Sequence, residues 1–282
     1  MIRRRAHSLS IVAITVFVTL LQAGTIDLRM TQVHPKEAGQ YARSPGQTRA
    51  VVLIHGLRME TRSVHTSEEL QDWQQPDSTL VKTLGADSDV FAISYGQHAT
   101  LDEIASCKEL VGDVAQLRRL GYTDLVLVGH SAGGLIARQF VEDNPKAGVT
   151  SVIQVCAPNG GTTLTKYSAL LKSEQQDFID SLSVETRQRY AATRRNRIPD
   201  HVQFVCVVGT ACGTSDGVVT CDSQWSADLR EQGIAAVAVK MKHTQVLADA
   251  DGTRTVAKLV CEKQTRLQKE HVTQAQKLIL GE

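Results

Sequence analysis

Short apolar runs alternate along this chain with longer stretches in which apolar residues return every three or four positions. Residues 50–54 (Ala-Val-Val-Leu-Ile) are unbroken apolar sequence, the mark of an interior parallel strand. Residues 89–95, 125–128, 149–155, 202–208 and 234–239 repeat that signal and predict further strands. Leu70, Trp73, Leu80, Val81 and Leu84 predict a helix within 67–84. Ile104, Cys107, Val111, Val114 and Leu117 predict one over 101–120, stopped by Gly121. Leu135, Ile136, Phe140 and Val141 predict a third that ends near Asn144-Pro145, and residues 254–280 a terminal one. Residues 25–47 read as an edge strand or an extended lead-in ending near Pro45-Gly46. Strand and helix in alternation define an α/β fold with a mainly parallel sheet flanked by helices.

Two segments stand outside that alternation. Residues 164–197 exceed a plain connection, and Leu164, Tyr167, Leu171, Phe178 and Leu182 give them a helical apolar stripe. Their end is basic, with Arg187, Arg189, Arg194, Arg195 and Arg197, which reads as a solvated helix surface. At the other extreme, Arg3-Arg4-Arg5 precede an apolar run over 9–21, followed by Ala23-Gly24. This is the order of a secretory signal peptide, so residues 1–24 are expected to be an export signal or N-terminal anchor, and 25–282 one domain. The destination is periplasmic or extracellular, with anchoring by 9–21 the alternative.

Composition narrows the function. With 282 residues and 42% hydrophobic content, the chain can build one sizeable core. A net charge of +1 and 4% aromatic residues supply neither the field nor the stacking surface of a nucleic-acid binder. Six cysteines in an exported chain permit disulfides, and Cys212 with Cys221, flanking a short polar loop, is the expected pair. The absence of any C-x-x-C argues against a redox pair or a zinc ribbon.

The candidate chemistry lies where strand 125–128 meets its helix. Gly129-His130-Ser131-Ala132-Gly133 is a G-x-S-x-G in strand-to-helix context, the setting of a nucleophile elbow. A phosphate cradle would need a G-x-G-x-x-G or a Lys-Ser/Thr after the loop, and neither is present. A serine hydroxyl needs a base, and the base an orienting acid, supplied in the order Ser, Asp or Glu, His from loops at the carboxyl ends of strands. Downstream, the loop after 202–208 holds Ser215-Asp216-Gly217 and the loop after 234–239 holds Lys242-His243-Thr244. His201 precedes a strand and His271 lies within the terminal helix, so His243 is the candidate base; Asp216 is preferred as the acid, with Asp222 and Asp228 as alternatives. The N–H groups of Ala132 and of Leu57, in the His55-Gly56-Leu57 loop, are the candidate oxyanion donors. His55 itself reads as a residue that braces that loop by bonding backbone.

Taken together, Gly129-His130-Ser131-Ala132-Gly133-Gly134-Leu135, His55-Gly56-Leu57, Ala157-Pro158-Asn159-Gly160-Gly161-Thr162, Ser215-Asp216-Gly217-Val218-Val219 and the late His243 resemble an α/β-hydrolase of the bacterial lipase and esterase group over residues 50–245. The resemblance implies a Ser131-Asp216-His243 triad, a carboxylic ester or lipid substrate, no cofactor and no metal. It also implies a helical cap or lid at 163–199, where relatives carry an insertion. Contact with a lipid interface and the oligomeric state stay open. A thioesterase, amidase or lipid deacylase would use the same groups, and a non-catalytic binding module on this fold is the remaining alternative.

Overall fold

In the computed structural model, residues 26–36, 41–58, 64–67, 69–163, 173–194 and 197–281 are described. The apolar runs form strands β1 (Leu28–His34), β2 (Arg49–Ile54), β3 (Asp89–Tyr95), β4 (Asp124–His130), β5 (Val149–Val155), β6 (Gln203–Gly209) and β7 (Ala235–Val239). They join in one sheet, ordered β1-β3-β2-β4-β5-β6-β7. β1 runs antiparallel to β3 at one edge, and the other pairings are parallel. The helices are α1 (Thr79–Leu84), α2 (Leu101–Ser106), α3 (Lys108–Arg119), α4 (Ala132–Asp143), α5 (Gln176–Asp180), α6 (Val184–Thr193), α7 (Cys221–Gln224), α8 (Ala227–Glu231), α9 (Ala250–Cys261) and α10 (Lys269–Ile279).

The pleat sends alternate residues of one strand into two different cores. Val52 and Ile54 of β2 and Leu125 and Leu127 of β4 pack with Leu135 and Ile136 of α4 on one face. Val51, Leu53, Val126 and Val128 point the other way, onto Leu80 of α1 and Val256 and Val260 of α9. Coverage on both faces explains why the central strands are apolar without interruption. It also puts the carboxyl ends of β2, β4, β5, β6 and β7 along one rim of the sheet.

Three expected helices differ in detail. The one expected over 101–120 is broken at Cys107, whose backbone is extended (ψ 147°) and serves as the N-cap of α3. The break lets α2 pack on α4 while α3 packs on β1. The terminal helix is split after Glu262, also extended, so that α9 lies on α1 and α10 against β7. The linker is held by Leu267 N–H on the Gly233 carbonyl (2.7 Å). Within 67–84 the helical part is α1, capped by Ser78, preceded by a 3-10 turn at Asp72–Gln74. Periodicity reports a buried stripe but not the one residue where the backbone leaves the helix.

The expected Cys212–Cys221 disulfide is not formed, and all six cysteines are free thiols. Cys221 is buried with its Sγ turned inward, 3.6 Å from the Gly209 carbonyl, while Cys212 is exposed. Residues 1–24 lie outside the described residues. Among those described, no helix is long and apolar enough to cross a membrane.

Candidate active site

Ser131 sits between β4 and α4 with φ 54° and ψ −125°. A non-glycine residue at positive φ costs about 1–3 kcal/mol and persists only where its surroundings hold it. Here its N–H donates to the Val155 carbonyl (2.8 Å), and its carbonyl accepts from Gly134 N–H (2.9 Å). Close backbone approach explains two of the nearby glycines. A Cβ on Gly133 would lie 2.2 Å from the Ile54 carbonyl oxygen, and one on Gly56 only 2.6 Å from Ser131 Cβ. The first turn of α4, beginning at Ala132, therefore rests on the end of β2, and the His55-Gly56-Leu57 loop passes directly against the Ser131 side chain.

Asp216 and His243, brought from the loops after β6 and β7, meet at 2.7 Å through Oδ2 and Nδ1. The main chains meet as well, His243 N–H donating to the Asp216 carbonyl at 3.0 Å. Asp216 is 1% exposed, and its second carboxylate oxygen accepts from the N–H groups of Val218 (2.8 Å) and Val219 (2.7 Å). Burial opposes its ionisation. The hydrogen bond and charge of His243, with the Val219 and Val218 N–H groups, outweigh burial and hold the carboxyl below the usual range. An ionised acceptor at Nδ1 calls for a proton on that nitrogen, which leaves Nε2 as the one turned away from the carboxylate.

His130 supports this arrangement. Its Nε2 lies 2.8 Å from the His243 carbonyl, and since a carbonyl only accepts, Nε2 carries the proton. Burial, helped by the neighbouring His243, brings the His130 pKa down to about 3, so the ring is neutral near pH 7. The elbow motif left this position open, and the histidine itself was the available signal.

Ser131 and His243 line one cavity of about 650 Å³ together with Leu57, Trp73, Pro158 and Leu182. Its floor is the rim of the sheet. Ile179 and Leu182, from the insertion between β5 and β6, contribute to its wall. Residues 164–172 and 195–196 of that insertion lie outside the described residues, which removes Leu164, Tyr167, Leu171 and Arg195 from view.

The alternatives for acid and base fall elsewhere. Asp222 pairs with Arg230 (2.7 Å), and Asp228 pairs with Arg138. His201 and His271 are exposed, one just before β6 and the other on α10. His55 braces its loop as expected: it is fully buried, stacks on Tyr95 (ring centroids 4.3 Å) and bonds the Gly56 carbonyl through Nδ1 (2.7 Å). Ligand atoms of Cys156, Asp216 and His243 lie within 4.8 Å of one another. Burial and the Asp216 charge keep the thiol well above its usual range, and Asp216 and His243 are bonded to each other.

The arginine-rich end of the insertion is only in part the solvated surface that was expected. Arg187 is 3% exposed and stacks on Tyr190 at 4.0 Å, and burial draws its pKa down to about 10. Arg194 binds Glu142 at 2.7 Å and also pairs with Asp143. The cause is Glu142 on α4, whose side chain is fully buried and also takes Arg138 (2.9 Å) and the Tyr190 hydroxyl (3.0 Å). A buried carboxylate demands partners, and Tyr190 of α6 and Arg194 just beyond its end supply two of them. Arg189 and Arg197 are exposed.

The seven strands among the described residues, their order and the elbow at the end of β4 make this an α/β-hydrolase fold, and solved structures agree. The mature form of Bacillus licheniformis lipase BlEst2 superposes with a TM-score of 0.60 at 13% identity, covering 83% of this chain and 97% of that one. The metagenomic carboxyl esterase MGS0156 gives 0.54 at 18% identity, covering 75% and 70%. Phospholipase PlaB from Legionella pneumophila gives 0.55 at 14% identity, covering 84% and 64%. No curated protein matches. Residues 18–212 match the family described as a domain of unknown function (DUF7379), and the chain belongs to that family.

Proposed function

We propose that this protein is a serine hydrolase that cleaves carboxylic esters, with Ser131 as nucleophile, His243 as base, Asp216 as its acid partner, and the N–H groups of Leu57 and Ala132 as oxyanion donors. The observation that carries the reading is the buried 2.7 Å bond between Asp216 and His243 Nδ1, beside a serine at positive φ in the same cavity. The lipase, esterase and phospholipase neighbours support an ester or lipid as substrate, and the apolar wall of the cavity supports an acyl chain there.

In the first half-reaction Ser131 Oγ attacks the ester carbonyl carbon while His243 Nε2 takes the hydroxyl proton. Negative charge collects on the carbonyl oxygen, where Leu57 and Ala132 N–H would donate to it. Asp216 stays ionised and stabilises the imidazolium. Collapse breaks the C–O bond to the leaving alcohol, which takes the proton from His243 and leaves Ser131 acylated. Water, deprotonated by the same imidazole, then attacks the acyl carbon, releases the acid and restores the serine. The scheme uses no cofactor. Residues 1–24 act as an export signal or anchor, 25–282 as the hydrolase domain, and 163–199 as its cap.

Two measurements test this. Ser131→Ala should lower kcat on p-nitrophenyl butyrate by roughly 10⁶, as in other serine triads. A fluorophosphonate should label the wild type at Ser131 and leave that variant untouched. Turnover retained in Ser131→Ala removes the mechanism, and a wild type inert to the probe removes the hydrolase reading. A panel of matched esters, thioesters and amides then separates the bond classes.

A further inference from the structure

The loop after β2 is held by three side chains from two distant parts of the chain, the end of β3 and the insertion. The Tyr95 hydroxyl donates to the His55 carbonyl (2.7 Å). Gln97 Nε2 donates to the Gly56 carbonyl (2.9 Å), and Gln97 Oε1 accepts from Arg58 N–H (3.0 Å). From the insertion, Gln175 Nε2 donates to the Arg58 carbonyl (3.2 Å) and to Gln97 Oε1 (3.1 Å). Both glutamines are 0% exposed. Their bonds fall on the residues immediately before and after Leu57.

We infer that Gln97 and Gln175 are positioning residues that fix the Leu57 N–H for the developing oxyanion, and that Gln175 couples the insertion to that donor. The inference rests on the ester-hydrolase reading of the same site. Three arguments support it. First, an oxyanion donor works only within about 2.7–3.1 Å of the charge it meets, and a misplacement near 1 Å can cost about 10² in rate. A loop that packs against Ser131 needs that constraint, since the room between them would not admit one Cβ at Gly56. Second, the Gln97 amide is used at both ends, on Gly56 and on Arg58, so it sets the spacing across Leu57 and not merely the position of one side. Third, Gln175 Oε1 is buried without a partner among the described residues. With its oxygen unpartnered, the glutamine is engaged only through Nε2, which donates to the Arg58 carbonyl and to Gln97 Oε1, the two groups that border Leu57.

The test uses the full chain and the variants Gln175→Met and Gln97→Met, with active sites first counted by fluorophosphonate titration. Per titrated site, Gln175→Met should lower kcat on p-nitrophenyl butyrate by about tenfold with KM within about twofold, the loss expected for one hydrogen bond spent on the transition state. Gln97→Met, which loses both ends, should fall further. The inhibition constant of a trifluoromethyl ketone, whose hemiketal oxygen would occupy the oxyanion position, should rise in the same proportion as kcat/KM falls. A merely structural role would lower the number of titrated sites and leave that constant unchanged. Unchanged kcat per site in Gln175→Met overturns the inference, as does a lower kcat with an unchanged ketone constant. If Gln97→Met does not fold, Gln175→Met, outside the sheet, decides alone. A wild type that the fluorophosphonate does not label overturns the hydrolase reading itself, and this inference with it.

Discussion

His130 Nε2 donates across 2.8 Å to the main-chain carbonyl of His243, 113 residues further along the chain. The residue before the serine thus holds the backbone of the residue whose imidazole meets Asp216. The bond ties the loop after β7 to the end of β4, at the two points where the proposed chemistry needs a fixed separation.

Replacing His130 by Phe keeps a ring against Trp73 and His243 but removes the donor. We expect kcat/KM per titrated site to fall by about tenfold, the worth of one hydrogen bond expressed in the transition state. Steady-state kinetics on p-nitrophenyl butyrate check this, and full activity in the variant would show that the tether does not matter.

His55 and His130 make stability depend on pH. Burial in both cases takes the pKa from an ordinary 6.5 to about 3. Between those values the unfolded chain binds protons that the folded chain refuses, so their contribution is complete above pH 6.5 and lost as pH falls. Each should give a slope of about 1.4 kcal/mol per pH unit through that window. Asp216, depressed from its usual range, contributes with the same sign at lower pH. Urea denaturation at pH 7 and pH 5 should show the loss, and a smaller one in His55→Phe, which keeps the stack on Tyr95; equal pH slopes in the two proteins would contradict this.

Glu142→Ala should destabilise by about 3–5 kcal/mol, because it leaves Arg138 and its neighbours without their shared buried carboxylate. Arg254→Ala, which breaks a pair with both side chains 73% exposed, should stay within about 0.5 kcal/mol of the wild type. Denaturant midpoints of the two variants give the comparison, and similar losses would mean that the network under α6 is not the stabilising element described.

Two glycine substitutions should have opposite effects. Gly56→Ala places a Cβ 2.6 Å from Ser131 Cβ and should reduce kcat by at least about 10² through displacement of the loop. Gly112 in α3 has open space around the added atom, so Gly112→Ala should stabilise by about 1 kcal/mol through helix propensity alone. Activity of the first and melting temperature of the second are the readouts.

Much of the architecture was legible in local pattern. The interior strands follow from their apolar runs, and 89–95 and 149–155 match β3 and β5 end to end. Asp216 and His243 were traceable because chain order and strand ends restrict where such groups can stand, and the structure brings these two together. The break at Cys107 was not legible, since the apolar spacing continues through it, and neither was the inward turn of Arg187 and Arg194. A basic run looks the same whether water or a buried Glu142 faces it.

Local periodicity, the glycines around Ser131 and the sequence order of serine, aspartate and histidine were sufficient for an α/β sheet with an elbow on its rim, because each depends on residues close together in the chain or on a fixed strand-to-loop logic. Packing alone decided that His130 would hold His243, that Gln175 would reach Arg58 117 residues away, and that Arg194 would bind the buried Glu142 of α4. Such contacts join segments with no common periodicity, and their energies arise only when water is excluded between surfaces that folding has already brought together.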